Sequence, residues 1–474
     1  MNKLTSIILT VISLTVICCP LRAQKTQKTE NTFRSWAPLP PMGWNSYDAY
    51  HGAITEKQFR ECVDILAGKY LPLGYNYAVV DFCWFNPGPE GWDPVNWKTF
   101  EISQRWTGDT AFSPVMTMDK YGRLLPSPNR FPSAANDKGF KALADYVHSK
   151  GMKFGIHIIR GIPRQAVAMK SKIMGTNYVA GDVINYTPKS WTNIMHIVDI
   201  NKPGAQEYYN SIFKLYAEWG VDFVKADDMM KQFYHKGEIE MMHKAILQCG
   251  RPIVLSLSWG EAPLSYAQHL EDNANLWRIS PDFWDRWPDV LNMFDRAARW
   301  APFIGDGTWP DEDMLPIGNL CLSGFPGNAN KPEHLTKLSD DETQTLMSLW
   351  CITRSPLMWG GDPISTPAKY EKFLLNKDII AMNQKSKNNR MLWDKDSTRV
   401  WVANIPGTKD LYLAMFNLKS KPQEVPFSFL WEDMTGKYQI RDLWNNTDNG
   451  LIDKEFNKNL NPHASAVYML SKVR

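Results

Sequence analysis

An α/β fold is predicted: a (β/α)8 TIM barrel followed by a C-terminal antiparallel β-sandwich domain. Three observations predict it. From Pro40 to about Asn383, short apolar runs alternate with amphipathic stretches, the pattern of βα units. One run, VDFVKADD from Val221 to Asp228, ends in two carboxylates, and the C-terminal end of a barrel strand is its catalytic end. After about Lys385 the helical pattern stops, and short alternating runs separated by turn residues take over. A doubly wound open sheet also alternates strands and helices, but no glycine-rich phosphate loop supports it here.

Taken in order, residues 1–23 read as a secretory signal. Asn2 and Lys3 make a short positive start, Ile7 to Ile17 is apolar, and Ala23 offers a small residue at the cut. The apolar run falls short of the roughly 20 residues a membrane span needs. Cys18 and Cys19 raise a lipoprotein alternative, but Ile17 precedes the pair where a small residue is favoured. The mature chain is therefore expected to be exported, periplasmic or extracellular, with no membrane span. The catalytic barrel is expected over 36–387. Its candidate strands are 42–46 (MGWNS), 77–82 (YAVVDF), 153–158 (KFGIHI), 222–227 (DFVKAD), 252–258 (PIVLSLS) and 276–280 (LWRIS), with room for two more. Helices are expected over 140–151 and 205–220, closing at Gly151 and Gly220. The segment 86–133 is too long for an ordinary βα connection, and its Trp and Asp content reads as an active-site loop or subsite. The β-sandwich is expected over 390–474, with strands at 398–405, 411–418 and 466–470.

Composition narrows the function classes. Lys and Arg number 53 against 50 Asp and Glu, so the net charge of +3 gives no reason to expect nucleic acid or an anionic membrane. Twenty Trp, 18 Tyr and 21 Phe suit stacking on the apolar face of a sugar, although most must fill a core of this size. After signal removal five cysteines remain, odd in number and without CxxC spacing, and no His cluster has metal-ligand spacing. Neither a metal nor a cofactor is expected. The oligomeric state is not legible.

The chemistry rests on two carboxylates. Asp227 closes the acidic strand; Asp282 follows in LWRISPDFWDRW, four residues past Arg278. An isolated Asp is ordinarily a helix cap or a solvated loop residue. A pair at the mouths of different barrel strands is instead what glycoside hydrolysis requires, one attacking and the other protonating the leaving group. Lys225 and Asp227 are two apart on one strand, so both point into the barrel mouth, and the Lys cation is expected to keep Asp227 ionised.

Eight motifs resemble, in order, those of glycoside hydrolase family 27, the α-galactosidases or melibiases. They include GWNS (43–46), YAVVDFCW (77–84), VHSKGMKFGIH (147–157), VDFVKADD, WRISPD (277–282), WPDEDMLPIGN (309–319) and SPLMWGGD (355–362), the last resembling barrel strand 8. The resemblance implies a retaining exo-glycosidase acting on an oligo- or polysaccharide. Asp227 would be the nucleophile and Asp282 the general acid/base. Asp81 and Lys225 would bind sugar hydroxyls, Trp44 would stack on the ring, and Arg278 would hold the 2-hydroxyl side. Four departures bear on specificity. Phe82 stands where most members have a second Asp, His157 replaces a usual Tyr, Asp228-Met229 replaces Asn-Cys, and Ser258 sits where Glu is common. A phenyl ring cannot accept the hydrogen bonds of a hydroxymethyl group but can fill its space. β-L-Arabinopyranose is α-D-galactopyranose without that group, and the sequence around 157–167 looks more like the plant branch that also acts on β-L-arabinopyranosides. Galactoside and arabinopyranoside ends both stay open. So do α-N-acetylgalactosaminide or α-glucan ends, and a non-catalytic carbohydrate-binding protein on the same fold.

Overall fold

A computed structural model describes residues 33–87, 116–185, 194–230, 233–323 and 332–473, with two short strand pieces at 105–106 and 113–114. The expected signal at 1–23 and half of the 86–133 segment lie outside the described residues.

Eight parallel strands form the expected barrel, in the order β7-β6-β5-β4-β3-β2-β1-β8. They are β1 (Met42–Asn45), β2 (Tyr77–Val80), β3 (Lys153–Ile159), β4 (Phe223–Asp227), β5 (Val254–Leu257), β6 (Leu276–Arg278), β7 (Trp309–Asp311) and β8 (Leu357–Trp359). Closure runs through Leu315, just beyond β7. Its amide donates to the Met358 carbonyl at 2.8 Å, and the Gly360 amide donates to its carbonyl at 2.9 Å. Helices follow every strand, the longest after each being α1 (Glu56–Ile65), α2 (Lys141–Ser149), α3 (Ala205–Trp219), α4 (Lys236–Gln248), α5 (Ala267–Asn273), α6 (Trp287–Trp300), α7 (Asp340–Ile352) and α8 (Lys377–Lys385). Local chemistry sets their ends. Thr55 and Gln58 form a capping box on α1, as Ser339 and Glu342 do on α7. Gly220 ends α3 at φ +85°, a conformation that a side chain would strain.

The barrel interior changes character along its axis. Val79, Gly155, Phe223 and Val254 lie side by side in register and, with Tyr77, Leu276, Trp309 and Met358, make an apolar floor. Two residues further along, the same strands bring up His157, Lys225 and Ser256. The period of two carries the switch, because both layers face inward.

The C-terminal region is antiparallel. A six-stranded sheet runs β9-β10-β11-β16-β13-β14, from β9 (Lys387–Lys395), β10 (Thr398–Asn404), β11 (Leu411–Asn417), β13 (Tyr438–Asp442), β14 (Thr447–Ile452) and β16 (Ser465–Lys472). A second sheet pairs β12 (Gln423–Ser428) with β15 (Glu455–Leu460). Val400, Leu413, Met415, Val425, Phe427 and Ile440 fill the space between the sheets. The opposite face of the large sheet, with Trp401, Ala414, Phe416 and Val467, joins the core of the barrel. There Phe416 meets Phe294 of α6 edge-on at 5.0 Å, and Gln344 and Thr345 of α7 donate to the Ser465 and His463 carbonyls.

All six expected strands and both expected helices are present. The two strands left as room in the pattern are β7 and β8, three residues each. No helix of the described residues is long and apolar enough to cross a membrane.

Candidate active site

A cavity of about 120 Å3 opens at the C-terminal ends of the strands. Its lining includes Asp81, Phe82, His157, Lys225, Asp227, Ser258, Arg278 and Asp282, so residues up to 200 positions apart converge as the sequence predicts.

On the β2–β5 side, every carboxylate oxygen is engaged. Asp81 is buried; its Oδ2 accepts from Lys225 Nζ at 2.9 Å and Asn45 Nδ2 at 2.7 Å, its Oδ1 from the Phe82 amide at 2.8 Å. Burial alone would raise its pKa. Lys225, then His157 and the two neutral donors, outweigh burial and hold it at about 2. Asp227 Oδ1 accepts from the Asp228 amide at 2.7 Å and from Ser258 Oγ at 3.2 Å, while Oδ2 accepts from His157 Nε2 at 3.1 Å. Burial again pushes upward, and the His157 contact, with Lys225 further off, holds Asp227 below the usual carboxylate range. The strand parity reading is therefore right, but the assignment of partners needs correcting. Lys225 pairs with Asp81, and His157 is the cation-capable group that touches Asp227. The reason is register: His157 sits directly beside Lys225 in the β3–β4 ladder and one step below Asp227.

The β6–β7 side is looser. Asp282 has a side chain 55 % exposed and meets Arg278 Nη2 at 3.3 Å. Arg278 is buried and is anchored instead by Asp313 Oδ2 at 2.6 Å, with a further bond to the Pro281 carbonyl at 2.8 Å. Asp313 Oδ2 also accepts from the Phe283 amide at 2.8 Å, which ties down the turn carrying Asp282. Burial pushes the Asp313 carboxyl upward against the pull of Arg278, with Asp282 adding to the rise.

Phe82 lines the cavity and meets the His157 ring edge-on at 5.5 Å. Trp44 does not line it. Its indole is fully buried against Phe59 of α1 and Tyr50 and donates to the Gly361 carbonyl at 2.8 Å. On β1 it is Asn45 that points inward to Asp81, so alternation sends its neighbour Trp44 outward. The aromatic rings at the cavity are Tyr47, Phe82, Trp259, Phe283 and Trp284, among the described residues. Asp228 turns away from the cavity and pairs with Arg160 at 3.2 Å. Asp313, in WPDEDM, is a site residue that the sequence reading lacks, although two charged residues two apart at a strand end are the pattern that singles out Lys225 and Asp227.

A parallel barrel with two carboxylates over one small, aromatic-lined cavity is the frame of a glycoside hydrolase. The family described as "Alpha galactosidase A" matches residues 88–167 and 190–385, and "Alpha galactosidase C-terminal beta sandwich domain" matches 395–470. Among solved structures, a family 27 β-L-arabinopyranosidase of Geobacillus stearothermophilus, in complex with arabinose, is 40% identical with a TM-score of 0.86, covering 93% of this chain and 99% of its own. Alpha-galactosidase 2 of Arabidopsis thaliana is 26% identical over 91% of this chain and 89% of its length. An alpha-N-acetylgalactosaminidase of Gallus gallus is 29% identical over 73% and 71%. The chain belongs to the α-galactosidase (melibiase) family, glycoside hydrolase family 27.

Proposed function

We propose that the protein is an exported retaining exo-glycosidase that releases terminal β-L-arabinopyranosyl units in preference to α-D-galactosyl units. The observation that carries the preference is Phe82. Its ring occupies the cavity wall beside Asp81, where a hydroxymethyl group would need acceptors and finds carbon. The Geobacillus relative, a β-L-arabinopyranosidase, supports the same substrate. Export rests on the character of residues 1–23.

In this reading a lone pair of Asp227 forms a bond to the anomeric carbon as the glycosidic C–O bond breaks toward the leaving oxygen, which takes its proton from Asp282. Water then gives its proton back to Asp282, adds to the anomeric carbon and frees Asp227. Asp227 suits the first role because its three donors hold it charged. Asp282 suits the second because it stands at the open rim, where a leaving group departs. Asp81, Lys225 and Arg278 present charged partners to the ring hydroxyls.

The test is kcat/KM on aryl β-L-arabinopyranoside, α-D-galactopyranoside and α-N-acetylgalactosaminide, with Phe82→Asp alongside wild type. The arabinoside is expected to be fastest, and Phe82→Asp to move the arabinoside-to-galactoside ratio by about 10- to 100-fold toward galactoside. A wild-type enzyme faster on galactoside, or a ratio indifferent to residue 82, sinks the assignment.

A further inference from the structure

Arg160, which neither lines the cavity nor touches Asp227 with its side chain, holds together the turn on which Asp227 stands. Its guanidinium is 3 % exposed. Nε donates to the Asp228 carbonyl at 2.7 Å, Nη2 meets the Asp228 carboxylate at 3.2 Å, and Nη1 donates to Glu238 Oε1 of α4 at 2.8 Å. Its own amide donates to the Asp227 carbonyl at 3.2 Å. Glu238 is fixed in turn by the Tyr209 hydroxyl of α3. One residue thus binds both carbonyls of the Asp227–Asp228 turn and ties it to two barrel helices. Asp228 adopts φ +66°, the left-handed region that asparagine, aspartate and glycine tolerate and other residues resist. In that conformation its amide points back to Asp227 Oδ1.

We infer that Arg160 is a positioning residue for the nucleophile: by clamping Asp228 in the left-handed conformation it anchors Asp227 Oδ1 and leaves Oδ2 to attack. The lone-pair count supports the choice of oxygen. A carboxylate oxygen has two acceptor sites. Oδ1 uses both, on the Asp228 amide and Ser258 Oγ, whereas Oδ2 uses one, on His157. The second lone pair of Oδ2 forms the bond to the anomeric carbon, the glycosidic bond breaks, and its electrons leave with the protonated oxygen. A carboxylate free to rotate about its Cβ–Cγ bond would present either oxygen and lose the in-line approach, and small misplacements of a reacting group are costly in rate.

The inference rests on Asp227 being the nucleophile. Five variants assayed on one aryl glycoside, each checked for native circular dichroism, test it. Arg160→Gln is expected to lower kcat by about 10- to 100-fold with KM within about threefold, since the sugar contacts of Asp81, Lys225 and Arg278 are untouched. Arg160→Lys, which keeps the charge but not the fork, should recover part of that loss. Asp228→Gly adopts the left-handed conformation freely and should exceed Asp228→Ala in kcat by about tenfold. Equal kcat for the Gly and Ala variants overturns the clamp, as does an Arg160→Gln effect confined to KM. If Arg160→Gln does not fold, the Gly/Ala pair decides alone. Asp227→Ala separates the two readings: activity retained there sinks the nucleophile assignment, whereas a dead Asp227→Ala beside wild-type Arg160 and Asp228 variants sinks only the clamp.

Discussion

The two carboxylates look at one cavity from unlike surroundings. Asp227 stands at the end of a five-residue strand with a side chain 15 % exposed and three hydrogen-bond donors around it. Asp282 stands on a turn past a three-residue strand, more than half exposed, beside an Arg278 that is committed to Asp313. The first site is built to keep one charge and one geometry. The second leaves its carboxyl open to solvent, with the Arg278 guanidinium beside it. Two carboxyl groups of identical chemistry are given different surroundings by the number of donors around each.

The comparison breaks most clearly if Asp227 proves dispensable. Asp227→Ala should reduce kcat by about 10⁴-fold or more on any substrate, as removal of a nucleophile does elsewhere; a loss under a hundredfold would mean that the packed side is not where attack occurs. Asp282→Asn should cost about 10²- to 10⁴-fold on an alkyl or sugar leaving group. It should cost markedly less on an aryl group that departs without a proton, and equal losses on both would deny Asp282 the acid role. Lys225→Met sharpens the contrast on the packed side. Asp81 would be left charged and buried without its cation, and removing one partner of a buried pair costs about 3–5 kcal/mol. Urea unfolding at pH 7 measures it, and a loss below about 1 kcal/mol would show that Asn45 and the Phe82 amide suffice. In the wild type the contribution of Asp81 is present above its unfolded pKa and disappears only as pH falls through about 2.

The smallest expected effect on turnover comes from Glu312, which faces out of the barrel beside the loop carrying Asp313. Burial, against a hydrogen bond with Thr353, pushes its carboxyl up to about 8. The folded protein then keeps a proton that the unfolded chain releases near pH 4.5. That contribution is whole below pH 4.5 and lost as pH rises toward 8, at about 1.4 kcal/mol per unit at most. Glu312→Gln should leave kcat unchanged and flatten the decline of thermal stability between pH 5 and 8; an unaltered slope would place the titrating group elsewhere.

Much of this was readable without coordinates. Six strands announce themselves because short apolar-rich runs have no other use between amphipathic helices, and eight of the nine proposed site residues line the cavity. What failed had physical causes. β7 and β8 are three residues long, and three residues carry no measurable period; only the resemblance of SPLMWGGD pointed to the second. The family resemblance puts Trp44 on the sugar ring, whereas its parity opposite Asn45 is the stronger guide. The partner exchange between Lys225 and His157 depends on the stagger of two strands 68 residues apart, which no local pattern encodes. Trp259, Phe283 and Trp284 sit on loops and Tyr47 opens a single helical turn, where side chains follow no strand alternation.

The large C-terminal sheet is apolar on both faces, one covered by β12 and β15 and the other by α6 and α7. A sheet wetted on one side can come away from its neighbour as a separate piece. This one cannot, because its departure would put Trp401, Phe416 and Val467 in water along with the helix surfaces they cover. Heating should therefore produce a single calorimetric transition for barrel and sandwich together. The upper temperature at which the sugar cavity survives is then set as much by residues 398–472 as by the strands that carry Asp227 and Asp282.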